Sequence, residues 1–255
     1  MQRKDSSKKV DAKPYQTMLG SLSFLRVTRV DCVHALHQLA RYASAPTQYS
    51  YHCLYNLFGY ISGTREFTRK FYHSRNESKK SKLVALIDAA FANGPQMKST
   101  SGHFIYYERS LLSVRSVTQK RTATSAPEAE LFEMVDVAKT LLYLRGLLTD
   151  IGEGEMETTI LTDSLSSVRT SHNPTSMRYR YLLVYLSFLR QLVKDKVLRV
   201  LFLKRIQNFA DLVTKQATLK EFLSLSKLAF GPFHWQHKVE DKPVVLKKAR
   251  SETMK

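Results

Sequence analysis

An almost unbroken apolar run at residues 83–91 constrains the fold of this chain more than any other stretch. The run reads LVALIDAAF, and its one carboxylate is Asp88. A short apolar run rich in branched residues is typical of a central strand that is buried on both faces. An ionised acid is costly in that position unless it is paired or binds a cation. The run therefore predicts either a metal ligand or an acid that turns to solvent where the strand ends.

The excess of basic residues indicates a polyanionic partner. The net charge is +18, of which residues 1–13 and residues 238–255 carry +3 each and the remainder carries +12. A basic body favours nucleic acid as a partner, although solubility alone also explains it. Two cysteines exclude a disulfide framework and a cysteine zinc site, and they favour a reducing compartment. We find no run as long as a membrane span and expect no membrane partner.

The chain divides by composition into a helical part and a larger domain with strands. We expect, in order, a disordered basic tail at 1–13, helices at 14–64, a strand (67–72) and linker at 65–81, the main domain at 82–235 and a second disordered basic tail at 236–255. His34 and His37 have the i, i+3 spacing of a metal pair on a helix. No carboxylate or third histidine is near them in sequence, so we expect no metal there.

The main domain follows the order β-β-β-α-β-α-α-β-α, which predicts an α/β fold with a mixed sheet. Residues 83–90, 103–108 and 111–118 are strand candidates joined by short turns, which favour antiparallel pairing. Ser125 and Glu128 have the spacing of a capping box at the start of the longest helix. Two further strands, at 158–163 and 197–203, and a helical region at 207–230 complete the domain.

Four carboxylates stand at or near the ends of different elements. They are Asp88, Glu130, Asp163 and Asp211. Carboxylates drawn from several elements are how proteins supply oxygen ligands to divalent ions. Each acid also has a simpler explanation, because Glu130 and Asp211 could be solvated and Asp163 could cap the helix that begins near Ser164. Spacing alone does not show that the four converge.

A series of motifs resembles the C-terminal part of the polyproteins of copia-type long-terminal-repeat retrotransposons, including the yeast Ty group. The matching pieces, in family order, are GSLSFL at 20–25, TRVD at 28–31, LARY at 39–42, DAAF at 88–91, KSTSG at 98–102, SAPEAE at 125–130, TDS at 162–164 and NFADLVTK at 208–215. The resemblance runs from Met18 to about Trp235. Val30 replaces the proline that is usual in the second motif.

The resemblance implies the end of a reverse transcriptase followed by ribonuclease H. It implies a ribonuclease H-like mixed five-stranded sheet with flanking helices, preceded by a small helical segment. The family's metal-binding and catalytic acids fall on Asp88, Glu130, Asp163 and Asp211. By this resemblance, they would hold two Mg²⁺ ions, or Mn²⁺, and hydrolyse the RNA strand of RNA–DNA hybrids. The chain has no adjacent pair of aspartates, so we expect no polymerase activity.

Contacts to the hybrid and the setting of the protein are further expectations. The candidate nucleic-acid contacts are Lys98, Ser99, Thr100, Gln119, Lys120, Arg121 and Asn208. The remainder of a retrotransposon polyprotein is a second expected partner, in a cytoplasmic virus-like particle and also in the nucleus. The alternatives are a decayed, catalytically inactive transposon fragment that binds nucleic acid without cleaving it, and a non-enzymatic binding role for the basic surface.

Overall fold

A computed structural model describes residues 8–72, 81–154, 156–172 and 181–233. Five strands form one mixed sheet in the order β3-β2-β1-β4-β5. The strands are β1 (Ser81–Ala90), β2 (Thr100–Tyr107), β3 (Ser110–Thr118), β4 (Met156–Thr162) and β5 (Arg199–Phe202). The helices are α1 (Ala12–Ser23), α2 (Val33–Ala40), α3 (Gln48–Gly63), α4 (Ala126–Asp150), α5 (Leu165–His172), α6 (Leu183–Lys194), α7 (Asp211–Thr214) and α8 (Leu219–Phe230). The predicted α/β fold class is confirmed.

Strand β1 lies at the centre of the sheet, as the apolar run predicts. It pairs antiparallel with β2 and parallel with β4. Alternate side chains point to opposite faces of a strand. Leu83, Ala85 and Ile87 pack with α4 in one core cluster, whereas Val84 and Leu86 pack with Phe209 in another. Burial on both faces explains why this strand lacks the alternation of polar and apolar residues seen in half-exposed strands.

Helix α4 covers one face of the sheet with the apolar stripe that the sequence shows. Its buried residues include Leu131, Met134, Ala138 and Leu141. The predicted capping box at its start is wrong. Ser125 occupies the N-cap position without a capping bond from its side chain, and Glu128 accepts hydrogen bonds from the backbone and hydroxyl of Thr124 instead. Glu128 thus bonds the residue before the cap.

The predicted strand at 67–72 is also wrong, because side chains rather than a backbone ladder attach this segment to β3. Arg69 donates to the Leu111 carbonyl, and the Tyr72 backbone N–H donates to Ser110 Oγ at 2.8 Å. The rest of the predicted linker, up to residue 80, lies outside the described residues. The helical region predicted at 207–230 is broken into α7 and α8.

The N-terminal helices form a core of their own and also pack on the sheet. Tyr15, Leu36 and Leu54 are fully buried in this core. The helices begin inside the predicted tail, since Asp11 caps α1 and Lys9 pairs with Thr47. Val30 joins the core between the sheet and α8. The division into domains at 14–64 and 82–235 therefore stays a prediction. Within the described residues, no helix has both the length and the apolar character to cross a bilayer.

We predict that Gly102→Ala destabilises the protein. Gly102 pairs with Asp88 in the sheet, and a methyl group there would lie 2.6 Å from Val213 Cγ2 and 2.7 Å from Thr214 Cγ2. Helix α7 thus packs directly on bare backbone, and the added atom must displace it. We expect a loss of about 1–3 kcal/mol in the free energy of unfolding, measured in urea.

Gly59→Ala on α3 is the matched control. Nothing lies within 4 Å of the methyl group it would add, so it should leave stability unchanged or raise it by about 0.5–1 kcal/mol. Equal stability of Gly102→Ala and the wild type would contradict the packing described for α7.

Candidate active site

Two of the four predicted acids meet because their strands are parallel neighbours. Leu86 of β1 pairs with Leu161 of β4. Asp88 lies two residues after Leu86 on β1, and Asp163 lies two residues after Leu161, just past the end of β4. Asp163 does not cap α5, since the hydroxyl of Ser164 accepts the hydrogen bond from the Ser167 backbone N–H. Both carboxylates therefore lie at the same edge of the sheet.

Glu130 reaches this edge from α4. One carboxylate oxygen each of Asp88, Glu130 and Asp163 lies within 4.8 Å of the others. Asp88 is only 2% exposed, so its charge is largely removed from water. Thr162 Oγ1 lies 3.5 Å from Glu130 Oε2, which connects α4 to the end of β4. Three acids from three elements thus form one cluster.

Asp211 joins the cluster through a lysine that the sequence analysis did not assign to the site. Lys215 Nζ lies 2.5 Å from Asp211 Oδ1 and 3.1 Å from Asp88. Thr214, beside it on α7, donates its hydroxyl proton to Asp88 Oδ2. The i, i+4 spacing of Asp211 and Lys215 signals this pair in sequence. The contact with Asp88 is not signalled, because it joins residues far apart in the chain.

The pKa values show how crowded the negative charge is. Burial raises the pKa of Glu130 to about 8, with further contributions from Asp88 and Asp163. Burial and the charge of Asp88 also raise the pKa of Asp211, although Lys215 opposes this. Burial disfavours the charge of Lys215, but Asp88 and Asp211 outweigh it and raise the pKa of the ammonium. The cluster therefore favours bound positive charge.

Asn208 holds the elements of the site together from beneath. Its Nδ2 donates to the Ile87 carbonyl at 3.0 Å and to Asp163 Oδ1 at 3.3 Å. Its Oδ1 accepts from the Ala210 backbone N–H just before α7. One buried amide thus connects β1, the end of β4 and the start of α7.

Other predicted nucleic-acid contacts are also engaged inside the protein. Ser99 Oγ accepts from the Ala92 backbone N–H, and Thr100 Oγ1 donates to Asn93. Gln119 donates to Ser101 Oγ and to the Ala129 carbonyl. With Asn208, these side chains are buried. Their polarity serves turns and helix packing, which sequence alone did not distinguish from a binding surface.

Lys98, Lys120 and Arg121 lie together beside the N-terminus of α4. Lys98 Nζ donates to the Lys120 carbonyl and to Thr122 Oγ1, each at 2.8 Å. The Arg121 guanidinium lies over the Tyr185 ring, 4.5 Å from its centroid. Lys120 and Arg121 are exposed. That these three residues contact nucleic acid stays a prediction.

Comparison with known proteins shows which proteins this chain is similar to. No family model matches the chain. The Transposon Ty1-ER2 Gag-Pol polyprotein of Saccharomyces cerevisiae is 26% identical over 221 residues, which cover 86% of this chain and 13% of that polyprotein. The chain is homologous to Ty1 Gag-Pol polyproteins. The Ty1-MR2 Gag-Pol polyprotein matches with the same identity and coverage. The predicted resemblance to Ty-type elements is confirmed.

Solved structures match parts of the chain. LC11-RNase H1, isolated from compost by a metagenomic approach, matches 52% of this chain and 92% of its own, with 20% identity and a TM-score of 0.43. The foamy viral protease-reverse transcriptase in complex with dsDNA matches 80% of this chain and 41% of its own, with 15% identity and a TM-score of 0.37. The mixed five-stranded sheet with flanking helices that the sequence analysis expected is present in the described residues.

The acids fit a divalent cation. Mg²⁺ and Mn²⁺ prefer oxygen ligands, and Asp88, Glu130 and Asp163 offer carboxylates within 4.8 Å of one another. The raised pKa of Glu130 reflects its burial first and the charges of Asp88 and Asp163 second, and a bound cation would oppose both effects. The Lys215 ammonium already takes such a position between Asp88 and Asp211.

We predict that Glu130→Gln stabilises the metal-free protein at high pH. In the unfolded chain this carboxyl loses its proton near pH 4.5, whereas in the folded protein it retains the proton up to about pH 8. The folded state therefore binds more protons within this window, and stability falls as pH rises through it. Glutamine removes the loss, so the variant should exceed the wild type by on the order of 2 kcal/mol at pH 9 and by little at pH 4.5.

The measurement is urea unfolding in EDTA at both pH values. Glu66→Gln, at an exposed position, is the control, and its difference from the wild type should not change with pH. The same stability difference between Glu130→Gln and the wild type at pH 4.5 and pH 9 would contradict the burial of Glu130 and the crowding of charge around it.

Proposed function

We propose that this chain is a ribonuclease H-type endonuclease that hydrolyses the RNA strand of RNA–DNA hybrids. The observation that carries the proposal is the meeting of Asp88, Glu130 and Asp163, from three elements, within 4.8 Å. The homology to Ty1 Gag-Pol polyproteins supports it. The chain spans only 13% of the length of that relative, so the activity of the whole polyprotein does not transfer to it directly.

The role of the protein's own residues in the mechanism would be to hold the cations in fixed positions. Asp88, Glu130 and Asp163 would hold the cations, and Asp211 would complete the set. Two bound Mg²⁺ or Mn²⁺ ions would supply activation of a water and stabilisation of the leaving oxygen in an in-line displacement. Thr214 orients the Asp88 carboxylate, and Asn208 orients that of Asp163. These supporting groups are buried and hydrogen-bonded, which favours fixed positions for the two acids.

Contact with the hybrid would fall to the basic residues beside the cluster. Lys98, Lys120 and Arg121 lie near the start of α4, and α4 begins at Ala126, four residues before Glu130. Positive charge there would bind phosphates of either strand, with affinity that weakens as salt rises. Selection of RNA over DNA requires a group that reads the 2′-hydroxyl. Ser99, Thr100, Gln119 and Asn208 would act indirectly, by fixing the turns and strands around the site.

The second candidate is a decayed transposon fragment that binds hybrids without cutting them. The observation that favours it is Lys215, whose ammonium already neutralises part of the acid cluster. In either case we expect association with the remainder of a Ty-type polyprotein in a cytoplasmic virus-like particle. The nuclear location expected from the resemblance gains no support from the homology.

We predict that the wild-type chain cuts the RNA strand of a hybrid in Mg²⁺ and that Asp88→Asn loses this activity by orders of magnitude. Asparagine keeps the shape of the side chain but removes the charge on which a cation depends. The measurement is cleavage of end-labelled RNA–DNA hybrid, with RNA duplex and DNA duplex of the same sequence as substrate controls. Asp136→Asn, at an exposed position on α4, is the matched variant and should cut like the wild type.

Three outcomes are distinguishable in this assay. Cleavage by the wild type and by Asp88→Asn at equal rates would place the active site elsewhere. Hybrid that the wild type binds but does not cut would favour the decayed fragment. Hybrid that is neither bound at low salt nor cut would exclude both candidates.

A further inference from the structure

The N-terminal helices contact the part of the protein that carries Asp211. Helix α2 packs against β3 and against α7. His34 on α2 lies 3.0 Å from the Val213 carbonyl and 3.3 Å from Ser116 Oγ, both through Nδ1. Val213 lies between Asp211 and Thr214 in α7. The predicted reverse-transcriptase remnant therefore reaches the metal-ligand segment directly.

The contact with Val213 fixes the chemical state of His34. A carbonyl only accepts, so Nδ1 must donate, and in a neutral ring Nε2 then carries no proton. Nε2 is buried, and no described group forms a hydrogen bond with it. Burial lowers the pKa of His34, which keeps the ring neutral. The last carbonyls of a helix lack partners within the helix, and His34 supplies one for the four-residue α7.

Helix α7 is short, and its position decides where three groups of the site stand. Thr214 bonds Asp88, and Asp211 bonds Lys215. Four residues cannot hold a helix in water by themselves, because nucleation is costly. Contacts from outside must therefore fix α7, and they include the close approach at Gly102, the Asn93 amide on the Thr214 carbonyl and His34 on the Val213 carbonyl.

We propose that His34 is a positioning residue of the metal site and that the N-terminal helices are part of that site's architecture. Through the Val213 carbonyl, His34 holds α7 so that Asp211 and Thr214 stand beside Asp88. This inference rests on the proposed function, since it requires that the acids bind a divalent cation. It assigns a role to helices that would otherwise be a passive remnant of the polymerase.

His37 provides a matched control in the same interface. It lies one helical turn from His34 and bonds Ser116 Oγ and Thr118 Oγ1 on β3. The hydrogen bonds of His37 thus go to the sheet, whereas His34 contacts the Val213 carbonyl of α7 as well as Ser116 Oγ. Loss of either ring weakens the interface, but only loss of His34 should move the acids.

The experiment is titration of the full chain with Mn²⁺, followed by electron paramagnetic resonance, at a temperature well below the Tm of every variant. We expect His34→Leu to weaken Mn²⁺ binding on the order of tenfold, as outer partners of metal ligands commonly do. His34→Asn, whose amide nitrogen stands near the position of Nδ1, should recover most of the affinity. His37→Leu should lower the Tm and keep the wild-type affinity.

Several results would overturn the inference. Wild-type Mn²⁺ affinity in His34→Leu would remove His34 from the site, and an equal loss in His37→Leu would reduce its role to general stability. If His34→Leu does not fold, the comparison moves to His34→Asn and His34→Gln, whose nitrogen stands near the position of Nε2 instead. Equal affinities in those two variants would then reject the inference. Absence of Mn²⁺ binding by the wild type would reject the proposed function, and this inference with it.

Discussion

The structure depends on how the negative charge of Asp88, a buried acid on the central strand, is compensated. Asp88 is buried at the end of the central strand, next to Glu130 and Asp163, and like charges at such short range oppose one another. The hydroxyl of Thr214 on helix α7 donates a hydrogen bond to Asp88, and the ammonium of Lys215, which follows α7, forms an ion pair with it. Folding can tolerate the cluster because positive charge is already available there. The same demand for positive charge is what makes the cluster a candidate cation site.

The groups that balance the charge of these acids come from parts of the chain that are distant in sequence. The sheet supplies Asp88 and Asp163, α4 supplies Glu130, and α7 supplies Asp211 with Lys215. Asn208 ties the strand ends to α7, and Gly102 lets α7 approach the sheet. The N-terminal helices contact α7 through His34, which bonds the Val213 carbonyl. A site made from separate elements in this way depends on packing far from the acids.

Much of this arrangement could be predicted from local pattern. The apolar run predicted β1, and the order of elements with their short turns predicted a mixed sheet. The family resemblance supplied the four acids, and the structure brings Asp88, Glu130 and Asp163 within ligand distance of one another. The predictions of β1 and the sheet share a cause, since burial and periodicity are visible in neighbouring residues, whereas the four acids came from the resemblance alone.

The rest depended on contacts that no local pattern carries. Lys215 meets Asp88, from which 127 positions separate it, and His34 meets Val213 across 179 positions. From sequence alone, polar residues such as Gln119 and Asn208 are predicted to lie on the surface, whereas the structure shows that they are buried. The segment at 67–72 had the composition of a strand, but Arg69 and Tyr72 fasten it to β3 by bonds that involve side chains.

The most direct test of the central claim is the change in Tm that Mg²⁺ produces at pH 6 and at pH 9, with NaCl matched for ionic strength. A ligand that binds only the folded state stabilises it in proportion to the logarithm of its concentration over the Kd. Glu130 has a pKa of about 8, so it offers its full charge only at the higher pH. We expect Mg²⁺ to raise the Tm at both pH values and to raise it more at pH 9. No rise in Tm with Mg²⁺ at either pH would contradict the account.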